Sequence, residues 1–422
     1  MLACQPPMQD LATIRQLLQT QIFSAAKHQS FNPYSKAIFS KISKCHTAAI
    51  GVHHLRCSAA DCGHAHIQYY SCQDRHCPNC GGLKREQWLQ DRMSELLPTT
   101  YFHIVFTLPQ ELRSLVMGNR RVLFNLLFDA SHHTLNTLGQ DARFIGGKSG
   151  IVSILHTNGQ DLSFHPHVHC IVSGGGINRQ GLWVKEKRAN GMFLFPRSSM
   201  EKIYKTYFLQ QLAKLVASKK VLVKDEQLHA SIVENIGNKK WNVYAKAPFG
   251  GPAQIVEYLG RYTHKVAITA HRITSITATH ISFHYKDYAD GSKRKEMTLT
   301  YVEFLRRFEQ HLLPRRFVKI RHAGYLSHQG KNARIATLHQ QLQLPKPMPK
   351  VIIPFSIQML QRTGTDHHLC PLCKKGTMQI RASFININGE LVSVEKLGQH
   401  RNKASPLRKA KGTPVEKYKP KK

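Results

Sequence analysis

Two histidines in an apolar stretch of the chain have the type and spacing of metal ligands. His167 and His169 lie in Phe164-His-Pro-His-Val-His-Cys-Ile-Val172, whose β-branched residues predict a strand. Side chains two residues apart on a strand project from the same face. The two imidazoles are therefore expected to point together, as two ligands of one metal would. Imidazole suits such ions as Mn²⁺ and Zn²⁺, and oxygens of substrate and water would complete a Mg²⁺ or Mn²⁺ shell.

A second pair of reactive side chains follows further along the chain. Tyr258 and Tyr262 are four positions apart in Tyr-Leu-Gly-Arg-Tyr, after Pro252 at a predicted helix start, and residues at that spacing share one helix face. A phenol with a pKa of about 10 is a weak nucleophile at neutral pH and needs a cation at the phosphate that it attacks. Arg261 and Lys265 are predicted to bind DNA beside the tyrosines, although a solvated helix face is the alternative. The two pairs together predict a tyrosine that attacks a DNA phosphate.

The charge of the chain also points to a nucleic acid. Its 422 residues include 60 Lys+Arg and 25 Asp+Glu, which gives a formal net charge of +35. Such an excess indicates a polyanionic partner. No apolar run reaches the roughly eighteen residues of a membrane span, and the first residues lack the pattern of a secretory signal. We therefore expect neither a membrane protein nor a secreted one.

Cysteines are concentrated in one segment, with six of the ten between Cys45 and Cys80. Cys77-Pro-Asn-Cys80-Gly has the spacing of a zinc knuckle, and Cys57 and Cys62 look like a facing knuckle with a wider loop. These four cysteines are predicted to form one structural zinc site. A disulfide framework is the alternative, and the missing export signal argues against it.

Other candidate ligands surround these two knuckles. Further candidate ligands, which would suit a second ion, are Cys72, His76, His64 and His66. Cys370-Pro-Leu-Cys373 is a half-site far along the chain, with His367 and His368 just before it. The sequence leaves open whether that half-site binds zinc.

Hydrophobic periodicity predicts an α+β protein. We expect helices over 10–45, 114–138, 200–218 and 302–313, and strands over 101–108, 151–155, 163–172, 266–269, 281–285 and 297–300. The strands 151–155 and 163–172 are joined through Asn158-Gly159, which is typical of a hairpin. Three consecutive domains are predicted: a helical and zinc-binding domain over 1–98, a catalytic domain over 99–345, and a region over 346–422 with the Cys-x-x-Cys element and a disordered basic tail.

Several motifs in order resemble the rolling-circle, two-tyrosine HUH transposases of bacterial insertion sequences. The resemblance extends from about Cys45 to Cys373. One departure is the spacing of Cys57 and Cys62, which are separated by four residues where two are expected. The motifs are Cys72-Gln-Asp-Arg-His-Cys-Pro-Asn-Cys80, His103-Ile-Val-Phe-Thr-Leu-Pro109, His156-Thr-Asn-Gly-Gln160, His165-Pro-His-Val-His-Cys170, Tyr258-Leu-Gly-Arg-Tyr-Thr-His264 and Lys319-Ile-Arg-His-Ala-Gly324.

The resemblance implies an HUH endonuclease core, built on an antiparallel sheet with flanking helices and preceded by a small zinc-binding module. It implies cleavage and rejoining of single-stranded DNA at element ends and target through 5′-phosphotyrosine intermediates, with one tyrosine for each strand. The catalytic Mg²⁺ or Mn²⁺ needs a third protein ligand, for which His103, His156 and Gln160 are candidates. A cytoplasmic bacterial protein is expected, associated with the nucleoid when it acts.

Two other functions fit the same residues. A plasmid rolling-circle replication initiator or relaxase uses the same chemistry on different DNA, but the zinc module and the missing helicase P-loop favour a transposase. A non-enzymatic zinc protein that binds nucleic acid is the second alternative. Replacing both tyrosines separates it from an enzyme, because binding alone needs neither hydroxyl.

Overall fold

The computed structural model describes residues 10–80, 95–187, 194–246, 254–255, 267–288, 290–347 and 368–395, with isolated positions between 357 and 366. Contacts between residues divide the chain into two compact units. The first unit comprises Met1–Ser43 and Gln73–Thr363, and the second comprises Lys44–Cys72 and Gly364–Lys422. Each unit is therefore built from two separate stretches of sequence.

The described part of the first unit contains helices and strands, whereas the elements named here in the second unit are all strands. The α-helices are α1 (Leu11–Leu17), α2 (Pro33–Ser43), α3 (Arg113–Gly118), α4 (Arg120–Gln140), α5 (Arg197–Ala217), α6 (Glu226–Asn238), α7 (Tyr301–Gln310) and α8 (Lys331–Gln341). The strands are β1 (Gly51–Cys57), β2 (Ala65–Tyr69), β3 (Tyr101–Thr107), β4 (Lys148–Asn158), β5 (Phe164–Ile177), β6 (Trp183–Lys185), β7 (Val243–Ala245), β8 (Ile273–Ile276), β9 (His280–Asp287), β10 (Lys293–Thr300), β11 (Ile320–Ala323), β12 (Met378–Ile387) and β13 (Glu390–Ser393).

A six-stranded sheet is the centre of the first unit. Its strands run in the order β11-β4-β5-β3-β7, and β6 pairs with β5 off this path. Each of these pairings is antiparallel. The long hairpin of β4 and β5 occupies the middle, and both strands are rich in buried β-branched residues that favour a sheet covered on both faces.

The two faces of this sheet carry different side chains, because successive residues of a strand alternate. One face packs against α4, α5 and α6 in a large apolar core that includes Phe102 and Phe106 of β3. On the other face, Val152 and Ile171 belong to a second apolar cluster with residues of α8. By the same alternation, the histidines of β3, β4 and β5 lie on this second face: His103, His156, His167 and His169.

A smaller antiparallel sheet, in the order β10-β9-β8, also belongs to the first unit. The α7 helix follows β10 directly, and the Thr300 hydroxyl caps it by accepting a hydrogen bond from the N–H of Glu303. Phe308 of α7 packs edge-on against Phe23, with ring centroids 5.2 Å apart. The N-terminal helices thus share an aromatic core with α7.

The second unit is a four-stranded antiparallel sheet in the order β13-β12-β1-β2. Its central pair joins distant parts of the sequence, since β1 begins at Gly51 and its partner β12 begins at Met378. The pairing places Cys57 opposite Met378. The described apolar core of this unit is small and centres on Cys57, Cys370 and Met378.

The structure confirms an α+β fold with antiparallel sheets. The three consecutive domains predicted over 1–98, 99–345 and 346–422 divide the chain differently from the two units. The physical reason is the pairing of β1 with β12, which joins the predicted first and third domains in one sheet.

Several predicted elements differ in detail from the observed ones. The helix expected over 114–138 is divided into α3 and α4 at Asn119. The strand expected over 266–269 is not formed by the described residues 267–269, and the nearest strand is β8 at Ile273–Ile276. Among the helices that the structure describes, none combines the length and the apolar character needed to cross a membrane.

Candidate functional site

Three histidines meet on the second face of the central sheet. His156 in β4 is the antiparallel partner of His167 in β5, and His169 follows on the same face of β5. Each side chain offers one ring nitrogen, and these three atoms lie within 4.8 Å of one another. The ring centroids are 4.5 Å apart for His156 and His169, and 4.9 Å apart for His167 and His169. The arrangement fits three ligands on one side of a single divalent ion.

Two of these three rings are buried and one is partly exposed. His156 has 6% of its surface exposed and His169 has 8%, whereas His167 is intermediate. Catalytic metal sites combine about three protein ligands with positions left for water or substrate. The partial exposure of His167 leaves such a position on the solvent side of the group.

Neighbouring groups orient the two rings of β5. Nδ1 of His167 lies 2.6 Å from the carbonyl oxygen of His165, to which it donates. Nδ1 of His169 lies 2.8 Å from Nε2 of His103, and the two rings are parallel within 1°. A neutral imidazole that donates through Nδ1 has its lone pair on Nε2, the nitrogen then suited to a metal. The bond to the carbonyl of His165 therefore selects this tautomer for His167, and the pair with His103 is compatible with the same tautomer for His169.

His103 supports the site from the neighbouring strand β3. Its side chain is 2% exposed, and burial lowers the pKa of His103 to about 3. A neutral His103 can accept the hydrogen bond from Nδ1 of His169. Of the candidate third ligands, His156 belongs to the group of three and His103 contacts it through His169. The backbone carbonyl of Gln160 accepts a hydrogen bond from Arg272, and its side chain stays a candidate.

A cavity of about 230 Å³ adjoins His156. The apolar ring of Phe308 and the side chains of Arg75 and Lys319 line this cavity. The guanidinium of Arg75 donates to two backbone carbonyls of the chain segment 314–317, at 2.6 and 3.0 Å, so its charge is held in place. A cavity with apolar walls and fixed positive charge suits a part of a nucleotide.

The predicted nucleophiles Tyr258 and Tyr262, and the predicted DNA-binding residues Arg261 and Lys265, lie outside the described residues. The last described residue before Tyr258 is Ile255, which is fully buried in the apolar cluster on the histidine-bearing face of the sheet. Three positions before the first tyrosine, the chain is therefore on the face that carries the histidines.

Four cysteines form a second group, in the second unit. Cys57 and Cys62 lie with Cys370 and Cys373, and the four sulfur atoms are within 4.8 Å of one another. Burial raises the pKa of Cys57 to about 12, whereas the backbone N–H of Gly376 lowers the pKa of Cys373 to about 6. The group thus offers a thiolate at neutral pH to an incoming cation.

This grouping corrects the single zinc site predicted from Cys57, Cys62, Cys77 and Cys80. Cys77 and Cys80 belong to the first unit and are not among the four thiols. The physical reason is again the pairing of β1 with β12, which brings the late Cys370-Pro-Leu-Cys373 half-site to the first knuckle. Cys77 and Cys80 remain predicted zinc ligands.

His76, a further candidate ligand that lies in the first unit, has both ring nitrogens in hydrogen bonds. The ring is buried, and its Nδ1 bonds to the carboxylate of Asp74 at 2.9 Å. Its Nε2 accepts from the N–H of Leu313 at 3.0 Å. These two bonds argue against a zinc ligand at His76.

The other candidates for a second ion, Cys72, His64 and His66, lie in the second unit. Cys72 is buried, and its N–H donates to the sulfur of Cys45 at 3.3 Å. The rings of His64 and His66 have centroids 5.8 Å apart, and neither histidine belongs to the group of Cys57. The group in the second unit is therefore made of thiols alone.

Two known families match segments of the chain that carry some of these candidate ligands. The family Y2_Tnp, described as "Putative transposase", matches residues 150–334, which include the three histidines. The family Zn_Tnp_IS91, described as "Transposase zinc-binding domain", matches residues 17–108. That second match includes Cys57, Cys62, Cys77 and Cys80 but stops well before Cys370.

Curated relatives are similar over most of the chain. "Putative transposase y4qJ" from Sinorhizobium fredii (strain NBRC 101917 / NGR234) is 36% identical over 375 residues, covering 86% of this chain and 93% of the relative. "Transposase for insertion sequence element IS801" from Pseudomonas savastanoi pv. phaseolicola is 26% identical over 370 residues, covering 86% of this chain and 87% of the relative.

Proposed function

Because this chain belongs to the Y2_Tnp family of transposases, of the IS91 and IS801 type, we propose that it moves an insertion sequence by cleaving and rejoining single-stranded DNA. The reaction passes through a 5′-phosphotyrosine on Tyr258 or Tyr262. Family membership supports DNA processing, and the site supports the kind of chemistry. A plasmid replication initiator would share that chemistry, but the relatives are transposases.

The observation that carries this proposal is the group of His156, His167 and His169. Three imidazoles on adjacent strands form a donor set that suits Mn²⁺, with oxygens of DNA and water as further ligands. A divalent ion bound there would act as a Lewis acid on the scissile phosphate. The sheet holds the three rings in place, the bond to His165 fixes the tautomer of His167, and the bond to His103 orients the ring of His169.

The tyrosines supply the covalent step in this proposal. The phenol oxygen of Tyr258 or Tyr262 forms a bond to the phosphorus, and the bond from phosphorus to the 3′ oxygen of the preceding nucleotide breaks. The phenol proton is lost to solvent and the leaving 3′ oxygen takes up a proton. The phosphodiester bond is exchanged for a phosphotyrosine bond, so a 3′-OH can later reverse the step without water or ATP.

Positive charge near the histidines supports a DNA substrate. Nη2 of Arg113 lies 3.4 Å from Nδ1 of His165, close to the histidine group. The cavity beside His156 adds Arg75 and Lys319. These cations would hold the phosphates on either side of the scissile one, while the net charge of +35 attracts the strand from a distance.

A covalent-adduct assay tests the proposal. Labelled single strands from the ends of the element, incubated with protein and Mg²⁺ or Mn²⁺, should give a denaturant-stable complex on a gel. Tyr258→Phe and Tyr262→Phe should each reduce a different stage, either initial cleavage or strand transfer, and the double variant should form no adduct. Phenylalanine keeps the ring and removes only the hydroxyl, so packing is preserved.

Tyr288→Phe is the matched control, since Tyr288 is 68% exposed and lies in the turn that follows β9. It should form the adduct at the unmodified rate. Cleavage by the double Phe variant would mean that water is the nucleophile and the protein is a metal nuclease. Binding without any cleavage by the unmodified protein would instead identify a non-enzymatic DNA-binding protein.

A further inference from the structure

We propose that Cys57, Cys62, Cys370 and Cys373 bind one zinc ion, so that a single metal site is made from two segments that lie far apart in the sequence. The matched zinc-binding family ends at residue 108 and includes only the first two of these cysteines. The inference is independent of the proposed reaction, because it concerns the second unit alone.

The distances between the sulfur atoms carry the proposal. Sγ of Cys57 lies 3.7 Å from Sγ of Cys373, and Sγ of Cys62 lies 3.7 Å from Sγ of Cys370. Four sulfurs at about 2.3 Å from a tetrahedral zinc are about 3.8 Å from one another. A disulfide would need about 2.05 Å. The four thiols therefore have the spacing of a zinc tetrahedron and not that of two disulfides.

The backbone around the two half-sites also has the form of zinc knuckles. The N–H of Ala59 donates to Sγ of Cys57, and the N–H of Gly376 donates to Sγ of Cys373, both at 3.4 Å. Such bonds stabilise thiolate charge. A Cβ at Gly376 would lie 2.4 Å from Sγ of Cys57, so only glycine fits where the two knuckles approach.

The small apolar core of the second unit indicates that a bound metal would stabilise its fold. Its described apolar core contains Cys57, Cys370 and Met378 with a few partly buried neighbours. Ile67 on β2 and Ile380 on β12 are more than half exposed instead of adding to it. A unit this small gains much of its folding free energy from a metal when one is bound.

Four thiolates suit zinc or iron, and the closed set of four protein ligands favours a structural zinc. Metal analysis of the purified full chain distinguishes the two. We expect zinc, and iron in its place would overturn the assignment of the ion.

A double-variant experiment tests whether the two half-sites hold the same ion. Cys62→Ser and Cys373→Ser should each lower the zinc content by one equivalent per chain. The double variant should also lose one equivalent, because both residues serve the same ion. A loss of two equivalents in the double variant would show two separate sites, and no loss in Cys373→Ser would remove the late half-site from the metal.

Cys4→Ser is the matched control, because Cys4 stands outside every predicted ligand set and should keep the full zinc content. Should the serine variants fail to fold, alkylation of the unmodified protein gives a separate answer. With zinc bound, Cys62 and Cys373 should resist alkylation although both are partly exposed. Increasing chelator should expose them together, at one concentration. Alkylation of Cys373 before chelation would contradict the shared site.

Discussion

The histidine group of the first unit and the cysteine group of the second unit differ in how many ligands the protein supplies and in what supports them. The histidine group has three ligands on long strands, and His167 is partly exposed. The cysteine group has four, which complete a tetrahedron and leave no position for a substrate. Three protein ligands are typical of a catalytic ion and four of a structural one. In the proposed function the histidine site serves the reaction, whereas the proposed zinc site serves the fold.

The packing around the two groups differs, so the removal of a bound metal is expected to affect them differently. His156, His167 and His169 are anchored in a sheet whose opposite face packs on the largest apolar core of the first unit. That scaffold, together with the hydrogen bonds of His167 and His169, holds the rings in place without a metal. Cys57 and Cys370 instead form part of their own small core. Removing the metal should disable the first site without unfolding it, and should unfold the second.

The largest expected effect sharpens this contrast directly. His167→Ala with His169→Ala should abolish cleavage, a loss of about a thousandfold or more, because a Lewis acid supplies several kcal/mol to such a reaction. Affinity for DNA should change little, since it comes from many Lys and Arg contacts. Oligonucleotide cleavage and salt-dependent binding measure the two properties.

The thermal midpoint of unfolding provides the control for this variant. It should stay close to that of the unmodified protein, whereas the Cys62→Ser variant should lose the transition of the second unit. Retained cleavage in Mg²⁺ or Mn²⁺ would remove the histidine pair from the metal site.

A smaller effect distinguishes the third ligand. His156→Ala should weaken Mn²⁺ binding by about a hundredfold, because it deletes one of three ligands, whereas Gln160→Ala should change it less than about threefold. The signal of free Mn²⁺ in electron paramagnetic resonance measures both. The reverse order would exchange the roles of His156 and Gln160 and leave His156 as a neighbour of the site.

The smallest effect concerns a residue that acts through another. His103→Phe removes the hydrogen-bond partner of Nδ1 of His169 while keeping a planar ring, and should weaken Mn²⁺ binding by about tenfold. His103→Gln, which restores an acceptor, should recover part of the loss. Equal Mn²⁺ affinity in all three proteins would show that His103 contributes packing and does not position His169.

The histidine site could be predicted largely from local sequence. His167 and His169 follow from the alternation of side chains on a strand, and His156 belongs to the strand before it in the same hairpin. What the sequence could not provide was the register. Only the pairing of β4 with β5 places His156 opposite His167 and distinguishes it from His103.

The cysteine site could not be predicted in the same way. The spacing of Cys77 and Cys80 favoured a local site with Cys57 and Cys62, because the two knuckles are close neighbours along the chain. The pairing of β1 with β12 spans most of the sequence, and no local pattern indicates it. From the sequence, Cys370-Pro-Leu-Cys373 is therefore only a half-site. The pairing of β1 with β12 brings it to Cys57 and Cys62. The tyrosines of the predicted reaction lie outside the described residues and stay a prediction.

The separation of the two half-sites affects how the protein is made. Cys62 and Cys370 are 308 positions apart. At about 5–20 residues per second, a ribosome needs about 15–60 s to pass from one to the other. During that interval Cys57 and Cys62 have been synthesised but Cys370 and Cys373 have not. The first two thiols can then be oxidised or can bind a competing metal. A chain terminated between His169 and Cys370 would contain all three histidines but only two of the four cysteines. The second unit can therefore fold only after β12 has been translated.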